Sequence, residues 1–415
     1  MLKNIDYTKY INYIIIAYAF LLPLSRAGLS ILGFLMILLW FIQGDFKTKY
    51  NQLKDNSVVL SLVALILLGY ISLIWTGLEN IKEGIDVTTK IVRIIFLPMI
   101  VIATTLKKEY LPKVITAFLA GMLISEILSY GIFFELWTLS QGSGTPSDPT
   151  PFMHHLDYST FLTFTSLLLL NRIFATDNFK LKVFYFIYFL FVTSNLFLNG
   201  GRTGHLAFAI SIFVVGFVNI KNKFLAFFSM LFLVISIFYA AYNISPVFKQ
   251  RFDAGANELN KIEANSGSKY AGSFGQRLGV WTMSIDIIKE NPILGVGTGS
   301  IRDTITDATT TTTDKYFKSI RVGNMHNIYV EYLVMLGLIG LIFYLMIWYN
   351  LFKMKIKDKL YSNLKVIFIA VFCTASTVEN LFHNQFSMNL FTLFVGIFIV
   401  LNLENKVKNY SMDIK

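Results

Sequence analysis

The sequence predicts an all-α polytopic membrane protein with about 12 transmembrane helices and one large external helical loop, since each crossing of a bilayer takes about 20 mostly apolar residues. Composition, the number of long apolar segments and the distribution of positive charge support this fold class. Of the 415 residues, 55% are hydrophobic and 15% are charged, whereas soluble globular proteins are about 45–50% apolar and about 25% charged. The composition therefore excludes a soluble enzyme, a disordered chain and a nucleic-acid-binding domain.

Long apolar segments provide the candidate spans. They lie at 11–24, 27–43, 57–76, 85–106, 112–135, 155–172, 181–199, 204–220, 223–242, 327–351, 361–381 and 387–403. The first two are short and close together, so we expect a tight hairpin there. A small-residue cleavage site is missing from this region, which argues against a signal peptide. The single Cys373 rules out a disulfide scaffold.

Positive charge predicts the orientation of the spans. The formal net charge is +11, but the basic residues are scattered along the chain. With the N-terminus placed in the cytoplasm, the inward-facing segments carry 21 Lys and Arg residues, and the short outward-facing segments carry only Arg26, Lys82 and Arg202. Cytoplasmic segments of membrane proteins are enriched in Lys and Arg. The pattern predicts a multi-pass protein with both termini in the cytoplasm.

One external loop is much longer than the others and divides the chain. We expect spans 1–9 in 1–242, the loop in 243–326, and spans 10–12 with a cytoplasmic tail in 327–415. Within the loop, 274–290 has the apolar spacing of an amphipathic helix lying on the membrane. Arg277 falls on the flank of its apolar stripe, where it could reach the headgroup region or simply be a surface arginine.

Several cations are candidate ligands for phosphate. Arg202 lies in a short glycine-rich turn before a span, and its planar guanidinium suits phosphate oxygens. Lys90 and Arg93 lie inside the fourth span, where charges are costly and are usually functional or paired; Asp86 is an alternative partner for Lys90. Together with the arginine of the amphipathic helix, these cations could converge on a lipid-linked phosphate or pyrophosphate.

His326, at the end of the long loop, could accept a proton from a hydroxyl near neutral pH or could simply cap a helix. Glu379 could orient it or pair with an arginine. His154, His155 and Asp157 could supply metal ligands, but the chain has no HExxH or DxD pattern, so we expect no metal and no cofactor. The glycine-rich run 295–299 lacks the lysine of a phosphate loop; we expect a turn that returns the amphipathic helix to the membrane.

Three motifs resemble those of the bacterial O-antigen ligase family within the O-antigen ligase/polymerase superfamily. His326 and Asn327 are followed after nine residues by Gly337-Leu338-Ile339-Gly340, which is similar to the signature H-[NSQ]-x9-G-x-x-[GTY]. The runs 201–204 and 291–297 are similar to an Arg-bearing turn and to an N-P-x-x-G-x-G element of the superfamily. The resemblance covers roughly 200–345 well.

The resemblance implies a metal-independent, inverting glycosyltransferase of the GT-C type. It would transfer O-antigen from undecaprenyl diphosphate to a sugar of the lipid A–core, at the periplasmic face of the bacterial inner membrane. The implied partners are this donor, this acceptor and membrane lipids. Arg202 and Arg277 match the family's diphosphate-binding arginines, and His326 matches its base. Family members often carry an Asp where this chain has Glu379.

Three alternatives remain open at this point. An O-antigen or capsule polymerase would use the same donor, but such enzymes often carry R-x10-G motifs. No glycine follows at that spacing after five arginines of this chain, namely Arg202, Arg251, Arg277, Arg302 and Arg321. A protein O-oligosaccharyltransferase would usually have an extra C-terminal domain. A secondary transporter would place its polar groups at mid-membrane, whereas most candidate groups here lie at the external face.

Overall fold

The computed structural model describes residues 6–139, 144–263, 270, 272–311 and 325–412, and 81% of these residues are helical. The described residues contain no strand, only an isolated bridge between Thr145 and Asp148. The helices are α1 (Tyr7–Leu21), α2 (Arg26–Gln43), α3 (Phe46–Leu53), α4 (Ser57–Ile71), α5 (Ile81–Ile91), α6 (Leu97–Thr105), α7 (Leu111–Phe133), α8 (His155–Ala175), α9 (Phe179–Leu196), α10 (Arg202–Asn219), α11 (Lys223–Ile244), α12 (Pro246–Glu263), α13 (Gly272–Glu290), α14 (Ile301–Thr311), α15 (Ile328–Lys353), α16 (Lys359–Ala375) and α17 (Gln385–Met412). The all-α polytopic architecture predicted from the sequence is confirmed.

Each predicted span falls on a helix. Among the described residues, nine helical segments are long and apolar enough to cross a membrane. The other three predicted spans fall on α1, α8 and α16. Helices α1 and α16 are only 15 and 17 residues long, and α8 is long enough but rich in Ser and Thr. The boundaries at 242 and 326 and the orientation of the termini stay predictions.

Helix α8 lies at the centre of the bundle and packs against α9, α10 and α16. Its residues are buried continuously from Asp157 to Asn171, and several of its polar side chains bond neighbouring helices. Ser166 Oγ lies 2.6 Å from Thr193 Oγ1 of α9, and Thr163 Oγ1 donates to the Gly204 carbonyl of α10. Small polar residues let helices approach closely in a membrane protein. This packing places the first residues of α8 and α10 next to each other.

The fourth predicted span is not one continuous helix. A π-helical turn, Val92–Phe96, separates α5 from α6. Pro98 has no N–H with which to bond the Ile94 carbonyl one turn earlier, and Thr392 Oγ1 of α17 donates to that carbonyl instead, at 2.9 Å. Because Thr392 donates to the carbonyl that Pro98 leaves without a backbone donor, the interruption of the helix inside the bundle costs little free energy.

The tenth predicted span is also interrupted, at Gly337, which has φ 63° and ψ −160°. The segment 292–297 fills the interruption: Val296 N donates to the Val334 carbonyl, and Leu338 N donates to the Pro292 carbonyl. The glycine-rich turn at 295–299 therefore docks into a broken helix. The expected turn is present, and the exposed backbone groups at the break bind it; its relation to the membrane stays a prediction.

The long loop contains three helices, α12, α13 and α14, of which only α13 was predicted. Arg321 lies outside the described residues. A cluster of apolar side chains, including Val280, Ile287, Ile305 and Val334, packs α13 and α14 against α15. The loop is therefore fastened to the helix bundle, which fixes the position of α13 relative to α10 and α15.

Candidate active site

A cavity of about 160 Å³ lies where the first residues of α8 and α10 meet α12 and α13 of the long loop. Its lining residues are His155, Leu156, Gly200, Arg202, Arg251, Ser273, Gln276, Arg277 and His326. Three arginines and two histidines therefore face one small space. Such a concentration of positive charge favours an anionic ligand.

Arg202 is the first residue of α10, and the glycines around it explain how it reaches the cavity. A Cβ at Gly201 would lie 2.3 Å from Ser159 Oγ, and a Cβ at Gly204 would lie 2.5 Å from the Ser159 carbonyl oxygen. Both distances are too short for any side chain larger than hydrogen. The glycines therefore allow α10 to begin directly against α8, and this contact brings Arg202 close to His155.

The Arg202 guanidinium has two partners from α12. Nη2 donates to the Arg251 carbonyl at 2.9 Å, and Nη1 lies 3.5 Å from Glu258 Oε1. Glu258 Oε2 also accepts from the backbone N–H of Phe274 at 2.7 Å. Glu258 thus links α12 to the start of α13 as well as to Arg202. The side chain of Arg202 remains 26% exposed, so it is accessible from the cavity.

Arg277, on α13, is buried rather than on the flank of a membrane-facing stripe. It is 9% exposed, while Ile285 of the predicted apolar stripe is 52% exposed. The face that packs on the protein contains small residues, Gly275 and Gly279, on either side of Arg277. Arg277 Nη2 lies 3.8 Å from Glu379 Oε2. The alternative that Arg277 is simply a surface arginine is therefore excluded.

His326 and Glu379 form a pair at the edge of the cavity. His326 Nδ1 lies 3.1 Å from Glu379 Oε2, and Glu379 Oε1 accepts from the Asn380 N–H. Glu379 lies beyond α16, which ends at Ala375, six residues before the predicted end of that span. Burial alone would raise the pKa of Glu379, but the His326 hydrogen bond and the charges of His326 and Arg277 lower it. The carboxylate is therefore ionised at neutral pH and accepts the hydrogen bond from His326.

The backbone of His326 adopts φ +47°, in the left-handed region that few residues other than glycine occupy. Such conformations cost about 1–3 kcal/mol and are concentrated at functional sites. Asn327 follows as the N-cap of α15, and its side chain accepts from the N–H groups of Tyr329 and Val330. The cap and the left-handed turn together aim the imidazole at the cavity.

The two glycines of the signature have structural roles. Gly337 provides the break in α15, and a Cβ there would lie 2.2 Å from the Ile293 carbonyl oxygen. At Gly340, a Cβ would lie 2.2 Å from the Cβ of Leu336. The spacing from His326 to Gly337 is therefore the length of helix between the capped start of α15 and the point where the glycine-rich turn docks.

Lys90 and Arg93 do not join Arg202 and Arg277. Lys90 lines a second cavity of about 220 Å³, where Asp86, Glu331 and His383 also contribute to the wall. Its Nζ donates to the His383 carbonyl at 2.6 Å; the suggested ion pair with Asp86 is not formed. Arg93 is exposed and lines neither cavity. Of the four cations expected to converge, the structure brings together two.

Three residues of the site were not recognised from the sequence. Arg251 of α12 was noted only for its spacing, His155 was considered only as a metal ligand, and Asp148 lies in a loop with no interpretable motif. Asp148 Oδ2 lies 2.7 Å from His155 Nδ1. The only sequence feature that could have pointed to His155 as a site residue is the pair of adjacent histidines that follows a loop containing Gly and Pro. Their role depends on a contact with that loop, which sequence spacing does not reveal.

Fold and site define an all-α polytopic membrane protein with a cationic cavity and a histidine–carboxylate pair at one end of its helices. Residues 187–345 match the family model described as O-antigen ligase. The matched range contains Arg202, Arg277, His326 and Gly337, and it confirms the resemblance to this family. The match supports a glycosyltransferase-like enzyme of the O-antigen ligase/polymerase type. No curated protein matches the chain.

Proposed function

We propose that the protein is an O-antigen ligase. It transfers a polysaccharide from undecaprenyl diphosphate to a sugar hydroxyl of the lipid A–core, with inversion and without a metal ion. The observation that carries this proposal is that His326, paired with Glu379, lines the same cavity as Arg202 and Arg277. A base and a cationic site for a leaving group are the two functions that glycosyl transfer from a lipid diphosphate requires.

The diphosphate occupies the arginine-lined cavity in this proposal. The volume of about 160 Å³ is below the roughly 300–1,000 Å³ of typical small-molecule sites, so it suits the diphosphate and not the glycan. Negative charge develops on the diphosphate as the glycosidic bond breaks. Arg202 and Arg277 stabilise that charge with fixed guanidinium donors, which act best when they are held in place before the reaction.

His326 is the general base for the acceptor hydroxyl. Because the ionised Glu379 can only accept hydrogen bonds, the proton of a neutral His326 ring lies on Nδ1. Nε2 then carries the lone pair that takes the acceptor proton. A positioned general base contributes typically about 10²–10⁴-fold to the rate. Glu379 both fixes this tautomer and stabilises the imidazolium that forms, and its contact with Arg277 joins the base to the phosphate side of the site.

Lys90 contributes from the second cavity. That cavity shares Asn380 with the neighbourhood of Glu379 and has both acidic and basic walls, so we propose that Lys90 contacts the sugar on the acceptor side. Arg93 is exposed on its helix, and we propose that it contacts lipid headgroups. The site faces the periplasm and the termini face the cytoplasm of a bacterial inner membrane, as the charge distribution favours.

Transfer measured with purified components tests the proposal. The full chain in proteoliposomes is mixed with an undecaprenyl-diphosphate-linked polymer and lipid A–core, with a chelator and without nucleotide. We expect the polymer to appear on the lipid A–core. Arg172→Ala, at the opposite end of α8, is the matched arginine control and should transfer normally. A wild-type protein that leaves the lipid A–core unmodified would refute the ligase assignment.

A deletion strain distinguishes the polymerase alternative. Loss of a ligase leaves the lipid A–core unsubstituted while long polymer accumulates on undecaprenyl diphosphate. Loss of a polymerase leaves single repeat units on the lipid instead. Accumulation of single repeats in the deletion strain would replace the ligase proposal with the polymerase one.

A further inference from the structure

The cavity contains a second histidine–carboxylate pair, formed by His155 and Asp148. His155 Nδ1 lies 2.7 Å from Asp148 Oδ2, a shorter distance than that between His326 and Glu379. His155 lines the cavity together with Arg202, Arg277 and His326. The proposed transfer uses one histidine as a base, so the second pair has no assigned task.

Asp148 holds two parts of the cavity at once. Its Oδ1 accepts from the Gly200 N–H at 3.0 Å, two residues before Arg202. Its Oδ2 bonds His155, the first residue of α8. The carboxylate therefore fixes the imidazole relative to the turn that carries Arg202, and the two cavity-facing groups are positioned together.

The charge on Asp148 determines which nitrogen of His155 carries a proton. Burial works against ionisation of Asp148, but hydrogen bonds from His155 and Gly200 and the charges of His155 and Arg251 lower its pKa. An ionised carboxylate only accepts hydrogen bonds, so Nδ1 is the donor. Nε2 is the remaining polar atom of a ring that lines the cavity. For Nε2 to donate to a phosphate oxygen while Nδ1 donates to Asp148, the ring carries a proton on both nitrogens.

We propose that His155 is a catalytic residue for the leaving group: its Nε2–H donates a hydrogen bond to a phosphate oxygen of the lipid diphosphate, and Asp148 positions the ring. This role rests on the proposed function. During transfer, the acceptor oxygen bonds to the anomeric carbon and the bond from that carbon to the phosphate oxygen breaks, leaving its electron pair on the phosphate. The hydroxyl proton goes to His326, and His155 keeps its own proton throughout.

The two pairs would thus work in opposite protonation states. The neutral ring of His326 accepts a proton, whereas the charged ring of His155 donates a hydrogen bond to the oxygen that gains charge. A donor aimed at developing charge contributes to kcat more than to ground-state binding. This difference separates a catalytic role for His155 from a merely structural one.

Kinetics of transfer in proteoliposomes test the role of His155. Removal of one such donor costs about 10²–10³-fold in kcat, so His155→Ala should lower kcat by this factor and change the donor KM only a few-fold. His155→Gln can still donate a hydrogen bond and should recover part of the loss. His154→Phe is the matched control: His154 is exposed, its ring contacts that of His155 in a tilted arrangement with 4.0 Å between centroids, and it is absent from the cavity lining.

The positioning role of Asp148 has a separate test. Asp148→Asn leaves one oxygen for two donors, and misplacement of a reacting group by about 1 Å can cost about 100-fold. We expect a fall in kcat of up to about that factor, with a donor KM close to wild type. Variants are compared only when their melting temperatures in detergent agree with wild type, and His155→Gln substitutes if His155→Ala is unstable.

Three results would overturn the role of His155: a kcat of His155→Ala and His155→Gln within threefold of wild type, a loss confined to donor KM, or an equal loss in His154→Phe. With normal wild-type transfer, any of these rejects this role and leaves the ligase proposal intact. A wild-type protein without transfer would reject both together.

Discussion

Glu379 Oε2 lies 3.1 Å from His326 Nδ1, although the two residues are separated by 53 positions in the sequence. The same oxygen lies 3.8 Å from Arg277 Nη2. One buried carboxylate, 2% exposed, therefore contacts both the proposed base and one of the proposed diphosphate ligands. Because Glu379 is ionised and nearly enclosed, it holds the His326 ring and the Arg277 guanidinium close to each other in the cavity.

Removal of the base should stop turnover without stopping donor binding. We expect His326→Ala to lower kcat by about 10²–10⁴-fold, the usual contribution of a positioned base. Donor binding, measured by titration of the lipid diphosphate, should stay near wild type because the arginines are unchanged. Full activity of His326→Ala would show that the assignment of the base is wrong.

The arginines should be intolerant of lysine as well as of alanine. Arg202→Ala and Arg277→Ala should abolish transfer, and the corresponding lysine variants should also fail, since an ammonium group lacks the planar fork of the guanidinium. Each variant is assayed in proteoliposomes, with insertion checked by protease protection. Arg172→Ala is the control at the other end of α8. Near-normal transfer by Arg202→Ala or Arg277→Ala would contradict the leaving-group role.

Glu379 should also make stability depend on pH. Its pKa is lower in the folded protein, because the His326 hydrogen bond and the charges of His326 and Arg277 outweigh the effect of burial. A carboxyl with a lowered folded pKa stabilises the protein above its unfolded pKa, about 4.3 for Glu, and loses this contribution as pH falls through the folded value. The difference in melting temperature between wild type and Glu379→Gln should therefore shrink on acidification from pH 6 to about pH 3. A difference that is independent of pH would contradict the ionised pairing.

The break in α15 should be sensitive to a single methyl group. Gly337→Ala places a Cβ 2.2 Å from the Ile293 carbonyl oxygen at φ +63°, and the backbone conformation alone costs about 1–3 kcal/mol. We expect a lower melting temperature and displacement of the segment 292–297, with loss of transfer. Gly33→Ala in α2 is the matched control, because no atom lies within 4 Å of the added Cβ; it should be neutral or stabilising by up to about 1 kcal/mol. Equal stability of the two variants would show that the break tolerates a side chain.

The sequence predicted the helical membrane architecture well because the signal for each span is local. A run of apolar residues is sufficient to place a helix, and each of the twelve predicted runs falls on one. The interruptions at Val92–Phe96 and Gly337 were not predicted, because each depends on a partner distant in sequence: Thr392 for the first and the segment 292–297 for the second. A break inside a span is stable only when such a partner satisfies the exposed backbone groups.

By itself, the sequence determined the class of protein, the helices that coincide with apolar runs, and the identity of the candidate base and arginines, since composition, apolar run length and motif spacing are properties of the chain. Only the tertiary structure decided which charges meet. It buried Arg277 beside Glu379, separated Lys90 and Arg93 from the two arginines, and joined Asp148 to His155. The physical reason is that short-range electrostatic contacts depend on distances between helices, and those distances are set by packing among residues far apart in the sequence.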